Sequence, residues 1–87
     1  PTKIKTGGST FKNPIEQTNI KVWELIKKSV PLKKKFGDAK ISNKHCNFLV
    51  NSSEATFNDM KKLIEFVKKN VRMKTGIKLD TEIEIIE

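Results

Sequence analysis

Between Thr56 and Gly76 the sequence specifies one long amphipathic helix, and that helix dictates what the rest of the chain must supply. Phe57, Met60, Leu63, Ile64, Val67 and Val71 recur at three- and four-residue steps, while Lys61, Lys62, Glu65, Lys68, Lys69 and Arg72 take the other side. Thr56 is placed to act as N-cap, with Asp59 in the capping-box position three residues later. Gly76 supplies the stop, and Lys74 suits the negative end of the helix dipole. An apolar stripe of this length must be buried against a second layer. With 87 residues in all, there is no room for repeated parallel crossovers. The expected fold is therefore a two-layer α+β domain, a small, mainly antiparallel sheet packed against two helices, with residues 1–87 forming a single unit.

The other elements are shorter. Lys3-Ile4-Lys5 alternates, Gly7 and Gly8 interrupt, and Thr10-Phe11 resumes as a strand that Asn13-Pro14 closes. From Asn19 to Lys28, Val22, Trp23 and Ile26 follow helical spacing with Leu25 widening the stripe, and Pro31 ends the helix. Trp23 reads there as a core anchor. Phe36-Gly37-Asp38 signals a loop after the solvated run Lys33-Lys34-Lys35, and strands are expected over 39–41 and 47–50. In Glu82-Ile83-Glu84-Ile85 the period of two places the isoleucines on the core face and the glutamates opposite.

Size and composition exclude several function classes. A chain this short buries roughly 60–65% of its unfolded surface, enough for a core but not for a deep cofactor cleft. This argues against a self-contained flavin or nicotinamide enzyme. No apolar run approaches the roughly 18 residues of a membrane span. The first residue is Pro1 and no secretory pattern follows it, so the chain reads as a fragment or a processed product. The one cysteine, Cys46, excludes an internal disulfide and suits a reducing cytosol, and the one histidine excludes a multi-histidine metal site. No metal is expected. His45 and Cys46 are adjacent, and at the start of a strand they would point to opposite faces, which argues against a thiolate dyad. The formal charge of +8 comes from 18 basic residues of which only Arg72 is arginine. Such a lysine-rich surface attracts polyanions without the fork that reads bases or clamps phosphate.

Gly8-Ser9-Thr10-Phe11-Lys12-Asn13-Pro14 resembles the G-S-x-F-x-N-P segment of the UDP-N-acetylenolpyruvoylglucosamine reductases, the MurB family. Trp23 to Ile26, Gly37 to Ser42, the run Lys44-His45-Cys46-Asn47-Phe48-Leu49-Val50-Asn51, Ala55-Thr56 and Gly76-Ile77 leading to the tail follow in that family's C-terminal order. The resemblance covers nearly the whole chain and only the family's C-terminal, substrate-binding domain. It implies a cytoplasmic bacterial enzyme of peptidoglycan precursor synthesis that moves hydride from NADPH to FAD and then to the enolpyruvyl group of UDP-N-acetylenolpyruvoylglucosamine. By motif match, Ser9 is the proton donor and Glu82 the catalytic glutamate, while Gly8 and Asn13 contact substrate. An N-terminal FAD-binding portion outside these residues is implied as partner, so the isolated chain is expected to be inert and to retain no FAD.

The resemblance has two departures. Residues 37–40 read Gly37-Asp38-Ala39-Lys40 where the family commonly has G-G-A-Q, and Glu84 replaces a commonly basic residue. On one strand face, Glu84 would disfavour ionisation of Glu82 as well as its own. The competing class is a stand-alone basic module for nucleic acid or another polyanion, using the lysine-rich helix faces. Sequence-specific nucleic-acid binding and membrane association are not expected.

Overall fold

The computed structural model describes residues 3–4, 9–82 and 85–86. The described elements are β1 (Lys3–Ile4), α1 (Val22–Ser29), β2 (Lys35–Phe36), β3 (Ala39–Ile41), β4 (Leu49–Asn51), α2 (Phe57–Thr75) and β5 (Ile85–Ile86). β2, β3 and β4 form an antiparallel sheet in that order, and β1 pairs antiparallel with β5. This is the α+β arrangement expected from the sequence.

α2 forms as its local signals require. Thr56 Oγ1 accepts from the Asp59 amide at 3.1 Å and Asp59 Oδ2 accepts from the Thr56 amide at 3.0 Å, closing the capping box. Gly76 ends the helix in the left-handed region at φ 78°, its amide bonded to the Arg72 carbonyl at 2.8 Å. Met60, Leu63, Ile64, Val67 and Val71 are buried, and α2 packs against α1, β2, β3 and β4. The sheet turns its Ala39, Ile41 and Leu49 side chains into the same core, while Lys40 and Val50 between them stay half-buried on the other face.

Several sequence expectations require correction. α1 begins at Val22 rather than near Asn19, and it buries Val22, Leu25, Ile26 and Ser29. That i, i+3, i+4, i+7 set leaves Trp23 about 100° round the helix from Val22, so the indole is 42% exposed and is no core anchor. The strand expected from residue 47 begins at Leu49. His45 lies in the preceding loop, with Cys46 and Asn47 in a turn.

Candidate functional site

The segment from Thr10 to Lys12 is fixed in place, because it is hydrogen-bonded on both edges. On one side, the Thr10 amide donates to the Asn47 carbonyl at 2.8 Å and Thr10 Oγ1 accepts from the Leu49 amide at 3.0 Å. Asn47, itself buried, grips the next residue twice. Its Oδ1 accepts from the Phe11 amide and its Nδ2 donates to the Phe11 carbonyl, both at 3.0 Å. On the other side the Lys12 amide donates to the Asp80 carbonyl at 2.9 Å, and the Glu82 amide donates to the Thr10 carbonyl at 2.7 Å. Phe11 pairs antiparallel with Thr81 between these two bonds and drives its ring into the core.

Ser9 and Glu82 thus come from opposite ends of the chain onto adjacent backbone. The pairing sets Glu82 opposite Thr10, one position out of register with Ser9. Ser9 is half-buried and Glu82 exposed. Gly7, Gly8, Ile83 and Glu84 lie outside the described residues, so the expectations resting on Gly8 and on the Glu82–Glu84 pair, and the core-facing placement of Ile83, fall outside the described structure.

Asn13 is exposed, yet its Oδ1 accepts from the Val22 amide at 2.9 Å. Lys21 occupies the N-cap position of α1 without a side-chain cap, so Asn13 serves as that acceptor from nine residues upstream. The bond uses the amide oxygen and leaves Nδ2 as the group for any substrate contact. Beside Asn13 a cavity of about 260 Å³ runs past Pro14, Ile15 and Gln17 to Lys78 and Asp80. Gln17 braces its floor by pairing with the Lys78 backbone, accepting from the amide at 2.9 Å and donating to the carbonyl at 2.8 Å.

The two departures at 38 and 40 have structural settings. The Asp38 carboxylate accepts from the Glu54 amide at 2.9 Å, and its carbonyl accepts from the Ser52 amide at 2.8 Å and from Ser52 Oγ at 3.0 Å. The side chain is therefore engaged in fixing the loop before α2. Lys40 lies directly opposite Lys35 across the β2–β3 pair, a like-charged arrangement that favours an anion nearby or a neutral replacement.

His45 and Cys46 have separate partners. His45 Nδ1 accepts from the Asn47 amide at 3.2 Å, and its ring stacks on Phe48 with centroids 4.7 Å apart. The Cys46 thiol donates to the Trp23 carbonyl at 3.0 Å. Burial pushes the thiol pKa up, against the opposing pull of backbone hydrogen bonds and of Lys27, so Cys46 is a poor nucleophile at neutral pH. Among the described residues no group of three His, Cys, Asp or Glu side chains is arranged to hold a metal ion. No helix there is long and apolar enough to cross a membrane.

Sequence reasoning gave no role to Thr10 and Asn47, whose bonds fix the arm. The available signal was Asn47 standing between Cys46 and the apolar run Phe48-Leu49-Val50, since a buried amide in such a setting needs specific partners.

The family model for the C-terminal domain of UDP-N-acetylenolpyruvoylglucosamine reductase matches residues 1–86. The chain belongs to this reductase family. It is 68% identical over 87 residues to the UDP-N-acetylenolpyruvoylglucosamine reductase of Pelagibacter ubique (strain HTCC1062), a match covering 100% of this chain and 29% of that protein. It is 43% identical over 86 residues to the Rickettsia canadensis (strain McKiel) enzyme of the same name, covering 99% of the chain and 28% of the relative. For the Beijerinckia indica reductase the identity is 45% over 83 residues, covering 95% and 26%. The chain therefore spans under a third of the length of these relatives. On the structure, Thr10 to Lys12 of the family's G-S-x-F-x-N-P segment are the arm that Asn47 and Asp80 to Glu82 clasp, and the K-H-x-N-F-x-V-N run is the turn and strand that hold it.

Proposed function

We propose that this domain supplies the substrate-binding face of a UDP-N-acetylenolpyruvoylglucosamine reductase, and that Ser9 and Glu82 act at the enolpyruvyl group. The observation that carries the reading is the 2.7 Å bond from the Glu82 amide to the Thr10 carbonyl, which brings the two motif-matched residues onto neighbouring backbone within a whole-domain family match.

In this reading Ser9 delivers a proton to the substrate carbon that carries the carboxylate, where negative charge collects during reduction. A serine hydroxyl is a weak acid in water, but a carbanion or enolate takes its proton once geometry is fixed and water is excluded. Thr10 supplies that fixity, since its amide, hydroxyl and carbonyl are all engaged. Glu82 assists by hydrogen bonding to the developing enolate. Asn13 contacts substrate through Nδ2, and Gly8 permits close backbone approach.

The described cavities detailed in this chain run from about 260 to about 430 Å³ and are open to solvent. They suit parts of a nucleotide sugar. Enclosing a flavin dinucleotide calls for a pocket toward the upper end of the usual range of about 300–1,000 Å³. FAD and NADPH are accordingly assigned to the remainder of the full-length enzyme, in the bacterial cytoplasm, and these 87 residues alone are expected to be inactive.

The test is Ser9→Ala in the full-length reductase, followed by stopped-flow absorbance of the flavin. NADPH should still reduce the flavin, while reoxidation by the enolpyruvyl substrate should slow at least a hundredfold, the lower end of what a positioned proton donor contributes, roughly 10²–10⁴. Equal loss of both half-reactions would remove Ser9 from this role.

A further inference from the structure

Of the 18 basic residues Arg72 alone carries a guanidinium, and the fold sets it at a cavity rather than on an open helix face. Lys68 and Lys69 stand four and three residues before Arg72, so the three share one face of α2. The chain that turns back after Gly76 brings Lys78 up beside them. Between helix and returning segment lies a cavity of about 430 Å³, larger than the one beside Asn13. Glu65, Asp80 and the buried Leu79 complete its lining, so four cations stand against two carboxylates and a positive excess remains.

The backbone that carries these groups is held before any ligand arrives. The Arg72 carbonyl takes the Gly76 amide at 2.8 Å, which fixes the angle at which the chain leaves α2. Lys78 is bonded through both its amide and its carbonyl to the Gln17 side chain, at 2.9 and 2.8 Å. The Asp80 carbonyl takes the Lys12 amide at 2.9 Å. The Arg72 side chain itself is exposed.

A guanidinium meets phosphate with two parallel hydrogen bonds, and ammonium groups add point charges around it. One phosphate group would fill little of this volume and would leave cations on the far wall unused, so the chemistry favours several linked phosphates. A groove that tracks single-stranded nucleic acid adds aromatic platforms for the bases, and no aromatic side chain lines this cavity. We propose that the cavity between α2 and residues 78–80 is a binding site for a small oligophosphate, held by the Arg72 fork with Lys68, Lys69 and Lys78 on its remaining oxygens. The site is separate from the proposed contacts of Ser9, Asn13 and Glu82, although Lys78 and Asp80 also line the cavity beside Asn13.

The test is calorimetric titration of the full-length reductase with inorganic triphosphate and, in a second arm, ATP, at about 0.15 M salt so that diffuse attraction is screened. Saturable binding of one equivalent is expected, and the tighter of the two ligands identifies the free anion or a nucleotide as the source. Arg72→Lys keeps the charge and removes the fork, and should weaken binding about tenfold, as for the loss of one charge-assisted bond. Two controls should leave the affinity unchanged. Lys33→Ala removes a charge that lines none of the cavities described here. Asn13→Asp would repel an anion bound beside Asn13 instead. The Arg72 side chain is exposed and its helix bond is made by the backbone, so Arg72→Lys should fold, as an unchanged circular dichroism melt would verify. Equal affinity in Arg72→Lys, loss of binding in Asn13→Asp, or no saturable binding of either ligand would overturn the site. Affinity for oligonucleotides that rises with their length and ignores Arg72→Lys would overturn it too, in favour of diffuse attraction to the lysine-rich surface.

Discussion

Asn47 and Phe11 form a closed two-bond ring, the side-chain amide of one matched to the backbone amide and carbonyl of the other at 3.0 Å each, across 36 positions of sequence. Asn47→Ala would leave the Phe11 N–H and C=O buried without partners, at a cost of about 2–4 kcal/mol. Asn47→Asp is the sharper probe. A protonated carboxyl can make both bonds, whereas a buried carboxylate cannot donate and is penalised by desolvation, so its folded-state pKa is raised. Stability of this variant should be near that of the parent at about pH 4 and fall as pH rises through that pKa. Urea melts at about pH 4 and about pH 7 check this, and a pH-independent loss would count against the ring.

Asn13 has two assignments that can be separated. Asn13→Ala removes the acceptor for the Val22 amide and should cost about 1 kcal/mol. Asn13→Asp keeps the acceptor and adds a charge favourable to a helix N-terminus, so the melting temperature should hold. The same charge would repel a diphosphate. In the full-length reductase, Asn13→Asp should therefore raise the KM for the UDP substrate without loss of stability. An unchanged KM would confine Asn13 to its capping role.

The two described glycines with positive φ should respond differently to alanine. Gly76, at φ 78°, has open space where a Cβ would sit, so Gly76→Ala should cost only the left-handed strain of about 1 kcal/mol. At Gly37, φ 57°, a Cβ would run into the Asp59 carboxyl, whose Cγ would be 2.9 Å away. Because that carboxyl closes the capping box with Thr56, Gly37→Ala should cost about 2–3 kcal/mol. Equal melting temperatures for the two variants would refute the difference.

Ser29 offers a gain. Its hydroxyl is buried in the last turn of α1 without a hydrogen-bond partner among the described residues. Ser29→Ala removes that penalty and improves helix propensity, and should raise stability by about 1 kcal/mol in chemical denaturation. A loss of stability would mean that the hydroxyl has a partner the structure does not show.

What was legible in the sequence was local. α2 carries its own cap, stripe and stop within twenty-odd residues, so Thr56, Asp59 and Gly76 could be read without tertiary information. α1 is eight residues long, and two stripes compete for so short a helix. The hydrophobicity of Trp23 favoured the wrong one, because Ser29, the residue that completes the true stripe, is polar. The pairing of Thr10 with Glu82 was not legible locally, since no local pattern joins residues from the two ends of a chain. The cap that Asn13 lends to α1 and the grip of Asn47 on Phe11 act through space and left no periodic trace.

The pairing of Phe11 with Thr81 also has a kinetic meaning. It closes a loop containing almost the entire chain, whereas the β2–β3 hairpin and α2 form from near neighbours. Long closures are entropically the last to be rewarded during folding, and the first released when stability falls. The junction that sets Glu82 opposite Thr10 is thus the final piece to assemble. Hydrogen exchange at the Glu82 amide, bonded across that junction, would report its opening while α2 stays protected.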